Sequence, residues 1–516
     1  MIRAMLAGMA LVLCGLGSAL GAKQQGYDRI VDDAVAHYGL PGIAVGVVED
    51  GQVVYTRTVG DLEAGKGERI DAQSLFKIAS NTKAMTAAVL ARLVDQGKLR
   101  WDDPVTKYLP HFAMHDPWVT REMQVRDLLV HNSGLPQGGG DLMLWPEPNL
   151  FTRQDIVQGL RHIKPAYSFR SGYAYDNLLY VVAGEVAAAA GGASYETLVE
   201  REIFAPLGMS RCEAGAFDRM QVGNVAQPHV RVDSRYVPGN VDPDQVPAIT
   251  SAAAGGIRCS LDDMLAWMRT WLAPDAKQQA WLSAEQRREM VLPRTPMPIP
   301  ARRVRWDNTH VYAYGYGFRM ADVDGEWTVS HTGTLSGMYS MMALLPDRRS
   351  GFVFMINGDA DEARTVLGET LMKQFTAPES GPSIAKYAGM LADDARAAAS
   401  KPDAKKTVVA PTSPRAPVAA PFDPRRIGTW KDPWFGVVRL CPEGDRLRFA
   451  AEKSPRMVGT VMRVGEDWLV DWDHDRVDLE AWIDFVGDRM RMRKTDPEGD
   501  FSFDYEDLDF TRVAGC

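Results

Sequence analysis

The chain has 516 residues, 46% hydrophobic and 24% charged, which is the balance of a globular protein and too much chain for one ordinary core. A net charge of -9 and a pI of about 5.6 offer a nucleic acid no basic surface, so no nucleic-acid partner is expected. There is no Gly-rich phosphate loop, His-Glu-x-x-His or paired-cysteine pattern, so neither a cofactor nor a metal site is expected.

Arg3 precedes an apolar run from Ala4 to Leu20 that ends among the small residues Ser18, Ala19, Gly21 and Ala22. This pattern predicts a signal peptide over residues 1–22, cut between Ala19 and Ala22, and hence an exported protein, periplasmic or secreted. An uncleaved anchor is the alternative; the run is short for a membrane span, so no stable anchor is expected after cleavage. Cys14 leaves with the leader. Cys212, Cys259, Cys441 and Cys516 then stand in a compartment that permits disulfides.

Beyond the leader, residues 30–37 read as a short helix. Two strands follow, Ile43–Val48 and Val53–Thr58, joined by the Glu49-Asp50-Gly51-Gln52 turn. An extended run then turns into a helix at Ser80, with apolar Met85, Val89, Leu90, Leu93 and Val94 and a stop at Gly97-Lys98. Residues 125–129 read as helical and lead into His131-Asn132-Ser133-Gly134, with His131 read as structural. Residues 137–150, rich in Gly and Pro, read as a loop at a cleft mouth. Helices are expected over 178–190, 264–271, 363–375 and 383–400, and strands over 327–331, 340–345 and 351–356. Two strands early and three late, with helices between, predict one mixed antiparallel sheet closed late in sequence. Residues 401–424 carry six prolines and read as a linker. After it, short runs at 437–440, 447–450, 458–464, 468–472, 490–494 and 501–505 predict a small all-β barrel or sandwich.

Ser80 and Lys83 share one face of the first turn of a buried helix. A serine hydroxyl needs a base beside it, and a lysine serves only where burial or nearby charge keeps its amine partly neutral. Ser74/Lys77 and Ser383/Lys386 also fit Ser-x-x-Lys. The first pair lies in a strand-like run, where i and i+3 face opposite ways, and the second stands near the Pro-rich stretch without partner motifs. Ser80 is followed by Tyr175-Asp176-Asn177 and by His331-Thr332-Gly333 at a strand end. Tyr175 can relay protons if Lys83 polarises it, and Asn177 can position a substrate carbonyl or amine. The Ser80 and Thr334 N–H groups can form an oxyanion hole, and His331 and Thr332 are expected to face a substrate carboxylate.

Ser80-x-x-Lys83, Tyr175-x-Asn177 and His331-Thr332-Gly333, in this order, resemble the three motifs of the serine β-lactamase-related hydrolases. That family includes class C β-lactamases, D-alanyl-D-alanine carboxypeptidases, D-aminopeptidases and esterases. Residues 128–135 and Pro206-Leu207-Gly208-Met209 match its landmarks, and the likeness spans about residues 27–376. The resemblance implies an α/β fold of the β-lactamase/DD-peptidase type over residues 23–376. Within it Ser80 is the acyl-forming nucleophile, Lys83 and Tyr175 the base and relay, and Asn177, His331, Thr332 and Gly333 the substrate-binding residues. Class C enzymes carry lysine where His331 stands, which points away from efficient β-lactam hydrolysis. Residues 425–516 resemble the lipocalin-like barrel often attached to this family, with residues 377–424 between. In a closed barrel the first and last strands are neighbours, so Cys441 and Cys516 are expected to pair; free thiols, or pairing with Cys212 and Cys259, are the alternatives.

The expected partner is a peptide or another small-molecule substrate, and no pattern specifies an oligomeric state. The leading expectation is a peptidase acting on peptides with D-residues. The rivals are an esterase on small acyl esters and a penicillin-binding sensor that acylates without turnover.

Overall fold

The computed structural model describes residues 21, 23–399, 415–418, 423–473, 477 and 479–516. The expected leader, with Cys14, and most of the Pro-rich stretch lie outside the described residues.

The first sheet has eight strands, and every pairing in it is antiparallel. In spatial order they are Gln52–Gly60, Gly42–Glu49, Ser350–Ile356, Met338–Leu345, Glu326–Leu335, Arg319–Val323, Tyr312–Tyr314 and Thr295–Pro296. The two early and three late strands form the expected core of the sheet, and three short strands the sequence reading did not include extend one edge. Gly42–Glu49 is buried along nearly its whole length, because the sheet is covered on both faces. Ile43, Val45 and Val47 pack with Tyr27, Ile30 and Val31 of the helical residues 23–38 and with Val366, Leu367 and Leu371 of helix Asp361–Thr376. Ala44 and Val48 face the other way, toward helix Leu261–Leu272.

The central helix of that second layer is Thr82–Asp95. Every residue from Thr82 to Ala91 is buried. A helix buried on every side must be surrounded, and here Leu178–Gly191 lies against it. A disulfide, Cys212–Cys259, ties the neighbouring segments together.

The second sheet is a closed barrel. Eight strands run up and down from Gly428–Asp432 to Asp509–Ala514, and the first pairs with the last. Ala416–Pro417 adds a short strand beside Val458–Val464. The Cys441–Cys516 disulfide is present, with Cα atoms 5.8 Å apart. Cys441 lies on the second strand, Gly436–Glu443, and not the first. The bond forms because the first strand begins only at Gly428, opposite Leu440, so nothing separates the second and last strands beyond that point.

One expected barrel strand is corrected. Residues 501–505 do not pair in the sheet; they belong to the connection between Arg489–Lys494 and Asp509–Ala514. Pro497 and Gly499 break the strand, and the aromatic residues that suggested pairing pack elsewhere, with Phe501 against Tyr175.

Candidate active site

The site is built on the entry to the central helix. Ala79 has a left-handed backbone, φ +48°, which costs a non-glycine residue about 1–2 kcal/mol. This turn lifts Ser80 into a 3-10 segment, Ala79–Asn81, that continues into the helix at Thr82. Two glycines admit the helix start. A Cβ on Gly333 would stand 2.2 Å from the Ile78 carbonyl oxygen, and one on Gly317, at φ +76°, would meet the Lys83–Ala84 backbone at 2.6 Å. Ser340 pins the same turn, donating to the Ile78 carbonyl at 2.8 Å and accepting from Asn81 Nδ2 at 2.8 Å.

Lys83 is fully buried one turn beyond Ser80. Its Nζ lies 3.1 Å from Ser80 Oγ, 2.7 Å from Asn177 Oδ1 and 2.7 Å from the Ala254 carbonyl. Burial pulls its pKa down to about 7, against Asp141 and Asp176, which favour the charged form. Near neutrality a good share of the amine is therefore free to accept the Ser80 proton.

Tyr175 completes the group. Its hydroxyl is buried without a hydrogen-bond partner, 4.8 Å separate its ring centre from Lys83 Nζ, and desolvation pushes its pKa up. The phenol therefore keeps its proton and can pass it on. His131 packs behind this ring, centroids 4.3 Å apart, and its Nδ1 accepts from the Asp176 N–H at 3.2 Å. Burial lowers its pKa to about 4, so the His131 ring is neutral packing, as its sequence context suggested.

The His331 expectation needs correction. His331 is fully buried and does not line the cleft. Its Nδ1 donates to the Thr332 carbonyl at 2.7 Å, and its Nε2 accepts from the Tyr314 hydroxyl at 2.8 Å; burial holds its pKa well below the usual range. Side chains alternate along a strand, so Thr332 and Thr334 face the cleft while His331 and Gly333 face the Ser80 turn. The cations at the cleft are arginines instead: Arg319, Arg364 and, from the barrel, Arg456. Arg319 Nη1 donates to Thr332 Oγ1 at 2.8 Å, and Arg364 binds Thr334 Oγ1, the Gly333 carbonyl and Asp361.

These groups open on a cleft of about 750 Å³ that includes Ser80, Tyr175, Asn177, Thr332, Thr334 and the three arginines. Its far wall comes from the barrel: the 498–503 segment reaches into it, and the Phe501 and Tyr175 ring centres lie 5.9 Å apart.

Residues 27–376 match the Beta-lactamase family. The chain belongs to that family. It is 28% identical over 352 residues to the D-alanyl-D-alanine-carboxypeptidase/endopeptidase AmpH of Escherichia coli K12, covering 63% of this chain and 81% of that one. Unguisins hydrolase ungD of Aspergillus violaceofuscus is 26% identical over 349 residues, 64% of this chain and 60% of that protein. The chain thus spans about three fifths of that relative. The octameric penicillin-binding protein homologue from Pyrococcus abyssi has the same fold, with a TM-score of 0.60 at 17% identity over 95% of this chain and 99% of that one.

Arg319, Arg364, Asp141 and the Phe501–Ser502 wall were missed in the sequence. The Gly315-Tyr316-Gly317-Phe318 run before Arg319 was the available signal, since Gly317 in it marks the backbone approach to Lys83.

Proposed function

We propose that the protein is a carboxypeptidase-like serine hydrolase that removes a C-terminal residue from short peptides with D-amino acids at the scissile bond. Ser80 Oγ attacks the carbonyl as Lys83 Nζ takes its proton. The oxyanion forms toward the N–H groups of Ser80 and Thr334. Tyr175 gives its proton to the leaving amine and takes up the one held by Lys83, and water then adds to the acyl carbonyl and releases the acid from Ser80.

The observation that carries the reading is Arg319. Burial keeps the Tyr173, Tyr175 and Tyr314 phenols around its guanidinium protonated, so they lend it no counter-charge; its buried Nε has no partner, and it stands beside Thr332 on the cleft wall. A substrate carboxylate would complete it with charge-assisted hydrogen bonds. The preference for D-residues is supported by the name of the Escherichia coli relative. Export is supported by the leader-like pattern before Ala22 and by two disulfides.

The test compares peptides ending in D-Ala-D-Ala as free acid and as amide. The free acid is expected to be cleaved at least about 10-fold more efficiently, and Arg319→Gln is expected to erase that preference mainly through KM. Equal cleavage of acid and amide would contradict the reading. Turnover of p-nitrophenyl esters with no peptide cleaved would favour the esterase, and acylation without release the sensor.

A further inference from the structure

Behind Asn177 lies a buried carboxylate that the acyl-transfer scheme does not use. Asp141 is fully buried in a 3-10 turn, Asp141–Met143, of the Gly-rich loop. Its Oδ2 accepts from Asn177 Nδ2 at 2.8 Å and from Ser502 Oγ of the barrel at 2.9 Å. Asp504, also from the barrel, accepts from the Gly140 and Leu142 N–H groups on either side of it. Gly138 in the same loop donates to the Tyr175 carbonyl at 2.8 Å.

We infer that Asp141 is a positioning residue for the acylation step, held by the barrel, that fixes the Asn177 amide against Lys83. The inference rests on the acyl-serine reading of Ser80. An amide has one accepting and one donating end, and which way it points depends on its neighbours. A carboxylate only accepts, so Asp141 takes the Asn177 NH2. The Asn177 oxygen is then left to receive Lys83 Nζ at 2.7 Å. An asparagine at 141 could donate or accept, and Asn177 could then turn its NH2 toward the lysine that must accept the Ser80 proton.

The charge acts as well as the geometry. The groups facing Lys83 are Asp141 on its loop, Asp176 before helix Leu178–Gly191, Arg319 on its strand, the Tyr175 and Tyr180 rings, and the neutral His131 and His331. The two aspartates favour the ammonium and Arg319 opposes it. Burial pushes the Asp141 pKa well above the usual carboxylate range, and the Asn177 and Ser502 hydrogen bonds and the Lys83 charge pull it back toward the ionised form; removing that carboxylate makes Lys83 easier to deprotonate, and the acid limb of catalysis moves to lower pH. Ser502→Ala removes one of the two donors on Asp141 Oδ2. The carboxylate is then less stabilised, and the limb moves the same way by less.

The test is the pH profile of p-nitrophenyl acetate hydrolysis over about pH 5–9 for the full chain, Asp141→Asn and Ser502→Ala, with circular dichroism as the folding check. Asp141→Asn is expected to lower kcat by about 10²-fold with KM within about 3-fold, and to move the acid limb of kcat/KM down by about half a pH unit or more. Ser502→Ala, at a half-buried position, is expected to shift the limb in the same direction by a smaller amount. A purely structural carboxylate would lower the amount of active protein and leave the limb in place. An unmoved limb in the folded variants, or in Ser502→Ala alone if Asp141→Asn does not fold, overturns the inference while the parent remains active. A parent that p-nitrophenyl acetate does not acylate at Ser80 overturns the acyl-serine reading and this inference with it.

Discussion

Lys83 illustrates how burial makes a base. Its ordinary pKa is 10.5, and desolvation at the helix start brings it to about 7. Acylation needs the neutral amine, so kcat/KM is expected to rise with pH through about 7 and to level off above it. A flat profile across that range would mean that Lys83 is not the base. Lys83→Met is expected to cost at least about 10³-fold in kcat with the fold retained. The same shift affects stability. The unfolded chain holds the Lys83 proton up to about 10.5, while the folded one releases it near 7. Between these values the unfolded state binds more protons, so this residue's contribution to stability rises with pH, and Lys83→Met is expected to remove that slope from urea-unfolding measurements.

At the scale of elements, the strand Glu326–Leu335 and the Ser80 turn fit because Gly333 has no side chain. Gly333→Ala is expected to push the Ile78 carbonyl and Ser80 out of place and to lower kcat by about 10²-fold, with a smaller effect on KM; kinetics near those of the parent would show that the turn can give way. This contact explains what sequence could and could not reveal. Ser80 and Lys83 were legible because three residues along one helical turn is a local relation. The early and late strands were legible because their runs are apolar throughout. His331 was misplaced because three consecutive motif residues were assigned to one side of a strand whose side chains alternate. Arg319 lies on a five-residue strand, Arg319–Val323, after a glycine-rich run, and reaches the site only through pairing with its neighbour. Residues 501–505 have strand composition, but their partners are the catalytic cleft and Asp141, which no local pattern encodes.

The molecule as a whole joins its two sheets at the active site. Lys453 of the barrel pairs with Asp155 at 2.7 Å, and the Phe151 and Phe435 ring centres are 5.7 Å apart, so the interface extends beyond the cleft wall. The Cys441–Cys516 bond closes a separation of 75 residues around the barrel. Cys441→Ser with Cys516→Ser is expected to destabilise the barrel by about 2–4 kcal/mol, read as an earlier urea transition of barrel tryptophan fluorescence. An unchanged transition would show that barrel closure alone suffices. The central claim is that Ser80, served by Lys83, forms the acyl-enzyme. Its most direct test is peptide mapping of the intact protein after reaction with a fluorophosphonate: a single adduct on Ser80, absent in Lys83→Met, is the expected result, and an adduct on Ser74 or Ser383, or undiminished labelling of Lys83→Met, would contradict the account.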